Sequence, residues 1–186
     1  MIYETKQIQL KNGQTAILRS PNINDAKALL HHLKRTASET PYLMRYEEEC
    51  LINEEMLERE VIFLENKRKS LVDMMILCEI EGEIVATCEI SFNTRIKTRH
   101  RSRVGIAVIK KCWGLGIGTT MFNEMIAIAK KQGVKQIELE YIEGNERGRA
   151  LYEKMGFKEV GSYPDAIQLK DGTMLKEILM MKKLYD

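Results

Sequence analysis

The 186-residue chain is poor in the residues that interrupt folded structure or staple it together, with three prolines, one tryptophan and four cysteines. Three prolines and twelve glycines leave no stretch of linker composition. Cys50, Cys78, Cys88 and Cys112 lie far apart, with no CxxC pair and no Cys/His cluster. That excludes the usual zinc and dithiol patterns and reads as buried thiols in a reducing compartment. Charge of one sign is also missing. Twenty-nine basic residues balance 27 acidic ones to a net +2, so no overall field commits the protein to nucleic acid or to an anionic membrane. No apolar run reaches the roughly 18 residues that a spanning helix needs. The opening residues alternate polar and apolar types instead of following a basic segment with an apolar one, so no signal peptide is expected and a cytoplasmic protein is. What the chain does have, 44% hydrophobic and 30% charged residues, is the balance of an ordinary globular domain. One domain is expected over residues 1–186.

Periodicity divides the chain into short strands and helices. Asn12-Gly13 marks a tight turn between two strands within residues 7–19. Residues 25–37 carry Ala26, Leu29, Leu30, Leu33 and Ala37 at helical spacing after Asn24 as cap, and a second helix starts at Asn53 and runs to about residue 67. Two strand-like runs then flank Glu81-Gly82-Glu83. A strand at 104–109, a helix at 119–132 ending at Gly133, a strand at 136–142, a short helix at 146–155, and strands at 157–162 and 174–182 complete the pattern. The class expected is mixed α/β (α+β): one domain built on a central, mostly antiparallel twisted sheet of about six or seven strands flanked by helices.

The most informative stretch is the strand at 104–109, a four-residue step, Gly114, Gly116 and Gly118, and then a helix from Thr119. Alternating glycines let the backbone turn tightly with its N–H groups facing outward, and the helix adds the positive end of its dipole. A phosphate or pyrophosphate is the expected guest. The turn is not a P-loop, because no lysine follows the glycines at the spacing of GxxxxGK[ST]. A dinucleotide fingerprint is met only in part: Gly114 and Gly116 fit and Glu138 or Glu140 stand at the right distance, but Thr119 occupies the third glycine position. A glycine-rich connector without a ligand gives up packing and chain entropy for no visible return.

From Gly105 to Gly161 the sequence resembles the GNAT superfamily of acyl-CoA-dependent N-acetyltransferases. The family's cofactor motif, [QR]xxGxG or [QR]xxGxA, is similar to Trp113-Gly114-Leu115-Gly116-Ile117-Gly118, and its second signature, NxxAxxLYxxxGF, is similar to the segment from Asn145 through Leu151-Tyr152 to Gly156-Phe157. Trp113 stands for the usual Gln or Arg and Gly148 for the usual Ala. The resemblance implies an acyltransferase that moves the acetyl group of acetyl-CoA to a primary amine of a small molecule or protein, by direct attack in a ternary complex. Acetyl-CoA is then a co-substrate and no metal is needed. The implied arrangement is an acceptor-shaping N-terminal half, about residues 1–100, and an acyl-CoA-binding core, about 101–186. The expected partners are acetyl-CoA and an amine acceptor, with neither membrane nor nucleic acid among them and a homodimer left open.

The resemblance also assigns roles. Pyrophosphate is bound by N–H groups within residues 115–119, that is Leu115, Gly116, Ile117, Gly118 and Thr119, with Trp113 and Gly114 at the entrance. The pantetheine arm lies like an added strand beside Ile106, Val108 and Ile109, with a backbone N–H near Val108 supporting the thioester oxyanion. Tyr152 occupies the position of the general acid that protonates the leaving thiolate, and Asn145 that of a pantetheine contact, although helix capping accounts for it equally well. No single base is forced. Glu89 or Glu140 can accept the amine's proton or orient a water, and His100 is another candidate. Two charged features remain. Arg95, Lys97, Arg99, Arg101 and Arg103 recur with period two, as one basic stripe of an extended segment would. A non-catalytic acyl-CoA- or nucleic-acid-binding module using that stripe is the alternative function, although no aromatic residues interleave to stack bases. Residues 47–49 with Glu54, Glu55 and Glu58 form an acidic cluster that suits a cationic acceptor.

Overall fold

A computed structural model describes residues 1–185. Eight strands and four α-helices follow in the order β1 (Lys6–Gln9), β2 (Thr15–Arg19), α1 (Ala26–Glu39), α2 (Glu54–Lys69), β3 (Asp73–Ile80), β4 (Glu83–Phe92), β5 (Arg101–Val108), α3 (Ile117–Lys131), β6 (Gln136–Ile142), α4 (Glu146–Lys154), β7 (Lys158–Gln168) and β8 (Met174–Lys183). They form a mixed α/β domain on an open, mostly antiparallel sheet, as expected, with eight strands in place of six or seven. Each of the eight lies on a segment that reads as strand in the sequence. The fold comprises two compact units. One is Met1–Ser91 with Gly105–Met121; the other is Phe92–Val104 with the chain from Phe122 onward. Both β5 and α3 pass from one unit into the other.

In the first unit β1, β2, β3 and β4 pair antiparallel in chain order. Gly13, at φ +83°, closes the β1–β2 hairpin, with the Gly13 N–H donating to Leu10 O at 3.0 Å. Glu81 and Gly82, both at positive φ, close β3–β4 in the manner of a type I′ turn. The core under this face joins Ala26 and Leu29 of α1, Leu64 of α2, Met75 and Leu77 of β3 and Ile84 of β4. Burying each leucine there contributes about 1.5–3 kcal/mol. The start of α1 differs from expectation. Asn24 is not its cap: a 3₁₀ turn at residues 23–25 leads into α1, Asn22 caps that turn with its Oδ1 accepting the Asn24 N–H at 2.9 Å, and Asp25, at the N-cap position of α1, makes no side-chain capping bond. The reason is Asp25. Its carboxylate accepts the Asn22 N–H at 2.7 Å and both guanidinium nitrogens of Arg19 at 2.7 and 2.8 Å, winding residues 23–25 into a 3₁₀ turn. Burial pushes the Asp25 carboxyl up, but Arg19 and the Asn22 N–H outweigh it and hold the group below its ordinary range. The start of α2 is as expected, and Asn53 caps it, its Oδ1 accepting the Met56 N–H at 2.8 Å.

In the second unit β5 pairs parallel with β6 at Arg101, Ser102 and Arg103 against Gln136, Ile137 and Glu138, and β8 pairs antiparallel with both β6 and β7. Strand β5 continues to Val108, beyond the last of those rungs. Phe122, Met125 and Ile137 are fully buried. Among the described residues no helix is long and apolar enough to cross a membrane, and no cluster of three or more His, Cys, Asp or Glu is arranged to hold a metal ion.

Candidate active site

The glycine turn lies in the first unit. After Val108 the chain makes a 3₁₀ turn at Lys110–Cys112, passes Gly114 at φ +81° and Gly116 at φ +91°, and enters α3 at Ile117. Both glycines sit in the left-handed region that other residues rarely adopt. A Cβ on Gly114 would meet nothing within 4 Å, so the turn is open at that glycine. The first intrahelical donor is Thr120, whose N–H bonds Gly116 O at 3.0 Å. The N–H groups of Ile117 and Gly118 therefore precede the helical ladder, and no acidic residue stands in the first turn of α3 to compete for them. An open turn of backbone donors at a helix entrance fits a pyrophosphate.

Four tethers hold this turn. The Ile109 N–H donates to Val85 O at 3.0 Å, which seats the end of β5 against β4. The Trp113 indole N–H donates to Val108 O at 2.7 Å; that N–H is thus spent on the strand end. Glu39, the last residue of α1, accepts the Lys110 N–H, and Arg35 binds both Glu39 at 2.9 Å and Glu83 at 2.8 Å, while Glu83 also pairs with Lys111. On the far side, the Lys11 N–H donates to Leu115 O at 3.2 Å. Arg35, Glu39, Glu83 and Lys11 were not legible as site residues, because each acts across a long stretch of sequence and none belongs to a local motif. Cys112 is buried, and burial pushes its thiol up, so it is a structural side chain and not a thiolate nucleophile.

Glu89 also lies in the first unit, on β4. The Lys67 ammonium sits 2.7 Å from its Oε2 and 5.3 Å from the centre of the Phe63 ring. Burial, and secondly the Glu89 carboxylate, push neighbouring Glu60 of α2 up. The expected acidic cluster is partly consumed by local structure: Glu49 accepts the Tyr46 N–H at 2.7 Å, and Glu55 pairs with Arg59 at 2.7 Å.

Tyr152 lies in the second unit. Asn145 caps α4 through Oδ1, which accepts the Gly148 N–H at 2.9 Å. A Cβ on Gly148 would stand only 2.7 Å from Asn145 Nδ2. The glycine that replaces alanine in the motif thus makes room for the folded-back asparagine. At the other end, Gly156 at φ +84° turns the chain so that the Phe157 N–H bonds Tyr152 O at 3.0 Å. That return packs Phe157 beside Tyr152, ring centres 6.5 Å apart, with Phe122 and Tyr141 each at 5.7 Å. Burial among these rings, with a smaller contribution from Tyr141, pushes the Tyr152 hydroxyl up to about 12. It stays protonated throughout the neutral range.

The other expected features of this unit fare differently. Glu140 on β6 meets Arg103 at 2.8 Å, but burial outweighs that cation and raises its carboxyl above the ordinary value. His100 is exposed, and its carbonyl accepts the N–H groups of Lys135 and Gln136. The basic stripe does not exist as an extended face. Arg95 O accepts both the Thr98 and Arg99 N–H groups, curling the segment before β5 begins. Arg101 and Arg103, which are on the strand, are paired with Glu138 and Glu140.

A glycine turn leading into α3, and an asparagine-capped helix carrying Tyr152 and closed by Gly-Phe, follow each other as in one family. Residues 26–157 match the family model described as Acetyltransferase (GNAT) family. The chain belongs to that family. Among curated proteins it is similar to an uncharacterized N-acetyltransferase from Methanocaldococcus jannaschii, at 31% identity over 90 residues. That match covers 47% of this chain and 40% of the archaeal protein, so the chain spans less than half the length of this relative. Among solved structures it is similar to a GNAT acetyltransferase from Streptococcus pneumoniae, with 25% identity, 91% of this chain and 99% of that one covered, and a TM-score of 0.81. The fold is also that of yncA from Salmonella typhimurium, determined with its cofactor acetyl-CoA, at 15% identity, 92% and 95% coverage and a TM-score of 0.74.

Proposed function

We propose that this GNAT protein transfers the acetyl group of acetyl-CoA to a primary amine by direct attack in a ternary complex, acting as one catalytic domain. The observation that carries this reading is the open turn at Gly114 and Gly116, with its backbone donors free of competing carboxylates, inside the span that matches the family. Backbone groups of Ile106, Val108 and Ile109 would align the pantetheine arm, and an N–H near Val108 would stabilise the oxyanion as the amine nitrogen bonds to the acetyl carbon. The carbon–sulfur bond then breaks, and the Tyr152 hydroxyl gives its proton to the departing thiolate. Its raised pKa is compatible with this role, since it keeps the donor protonated throughout the neutral range. Of the two carboxylates considered as base, Glu140 is favoured, because burial raises its proton affinity in spite of its pair with Arg103. Asn145 would offer its Nδ2 donors, its Oδ1 being engaged in capping.

A binding module resting on the basic stripe has lost its support, since two of the five cations are paired and the rest lie on a curled segment. The deciding experiment is thermal unfolding of the full chain with acetyl-CoA. At a hundredfold excess over Kd a native-state ligand adds about 2.7 kcal/mol of stability, which raises Tm by about 5–10 °C in a chain of this size. An unchanged Tm, with no heat of binding by calorimetry, overturns the reading. An amine panel on the acetyl-CoA complex then identifies the acceptor class.

A further inference from the structure

Two polar side chains of the glycine turn's own sequence are engaged: the indole N–H of Trp113 is spent on Val108, and Lys111 is tied to Glu83. A cation reaches the turn from elsewhere in the chain. Lys11, at the tip of the β1–β2 hairpin, donates its backbone N–H to Leu115 O at 3.2 Å, and this bond fixes the hairpin against the turn. Its side chain then runs along Gly116. From the position a Gly116 Cβ would take, Lys11 Cγ, Cδ and Cε lie at 3.6, 3.9 and 3.7 Å. Three consecutive methylene carbons at nearly equal distance mean that the stem lies flat on the turn, so Nζ, one bond beyond Cε, is held at its rim. Among the described residues no carboxylate pairs with that ammonium, and the residue is exposed.

We propose that Lys11 is a phosphate-binding residue: its ammonium completes the backbone cradle and contacts the pyrophosphate of the CoA moiety. The proposal rests on the acetyl-CoA reading above. It also gives a reason for the hairpin, since a lysine without its Leu115 anchor would lose rotamer entropy on every binding event. Geometry assigns the contact to the pyrophosphate, and not to the 3′-phosphate, because the stem lies on the turn that carries the backbone donors.

Calorimetry of the full chain tests it, with acetyl-CoA and 3′-dephospho-acetyl-CoA against wild type, K11M and K11R. Loss of one exposed, charge-assisted contact weakens binding by about five- to tenfold in K11M, and K11R stays within about threefold of wild type. The deficit of K11M narrows at high salt, as a screened contact requires, and persists with the dephospho cofactor. Equal affinity of K11M and wild type overturns the proposal. So does a K11R as weak as K11M, since that marks a packing role, and so does a deficit confined to the 3′-phosphorylated cofactor. A wild type that binds neither cofactor removes the acetyl-CoA reading itself and this proposal with it, an outcome distinct from a Lys11-specific failure.

Discussion

The glycine turn and the Tyr152 helix handle polar chemistry in opposite ways. At the turn, the N–H groups of Ile117 and Gly118 precede the helical ladder and the surrounding side chains, Glu39, Glu83 and Arg35 among them, hold the peptide in place. At the helix, the backbone is capped at each end and one side chain, Tyr152, would carry the proposed chemistry, packed among Phe122, Tyr141 and Phe157. The difference follows from what each group must do. A doubly charged phosphate is well served by several fixed dipoles that need no counter-ion. A proton donor needs a single group with a set pKa, and burial sets it.

That contrast can be broken from either side. The largest effect is expected at the side-chain site. Tyr152→Phe keeps the ring packing and removes the proton, so kcat falls by about 10²–10⁴-fold while acetyl-CoA binding by calorimetry stays near wild type; a full-speed variant takes the general acid away from Tyr152. At the backbone site the loss falls on binding. Gly116→Val puts a β-branched residue at φ +91° and drives its Cβ toward the Lys11 stem, weakening acetyl-CoA by at least about tenfold. Unchanged affinity in a folded Gly116→Val protein means the turn is not the cradle. A smaller effect concerns pH. Glu140 has a raised pKa, so as a base it is protonated, and activity lost, as pH falls through that raised value; activity rises with pH across the same window. Glu140→Gln flattens this acidic limb in a kcat profile, whereas Glu89→Gln leaves its position unchanged. A limb that survives Glu140→Gln moves the base elsewhere.

Local pattern made the two motifs legible. Alternating glycines after a strand, and an asparagine seven residues before a tyrosine and a Gly-Phe pair, specify much of their backbone, because Gly114, Gly116 and Gly156 adopt angles that other residues resist. What escaped the sequence was long-range or conformationally ambiguous. Lys11 reads as one polar residue of a hairpin, and only the Leu115 hydrogen bond tells what that hairpin lies against. Period-two arginines predict a stripe only if the backbone is extended, and the curl at Arg95 removes that premise. Asn24 reads as a helix cap; the Arg19–Asp25 ion pair belongs to a 3₁₀ turn at residues 23–25 that Asn22 caps instead. Gly148 reads as a departure from its motif until Asn145 is seen folded over it.

Trp113 brings one further consequence. It is the only tryptophan in the chain, and its indole is bonded to the last residue of β5 one position before the first glycine of the turn. Excitation at wavelengths that spare tyrosine therefore interrogates a single place in the molecule. Emission intensity, anisotropy and quenching of the unlabelled protein become a built-in optical probe of the turn, readable on the stopped-flow timescale while a ligand arrives.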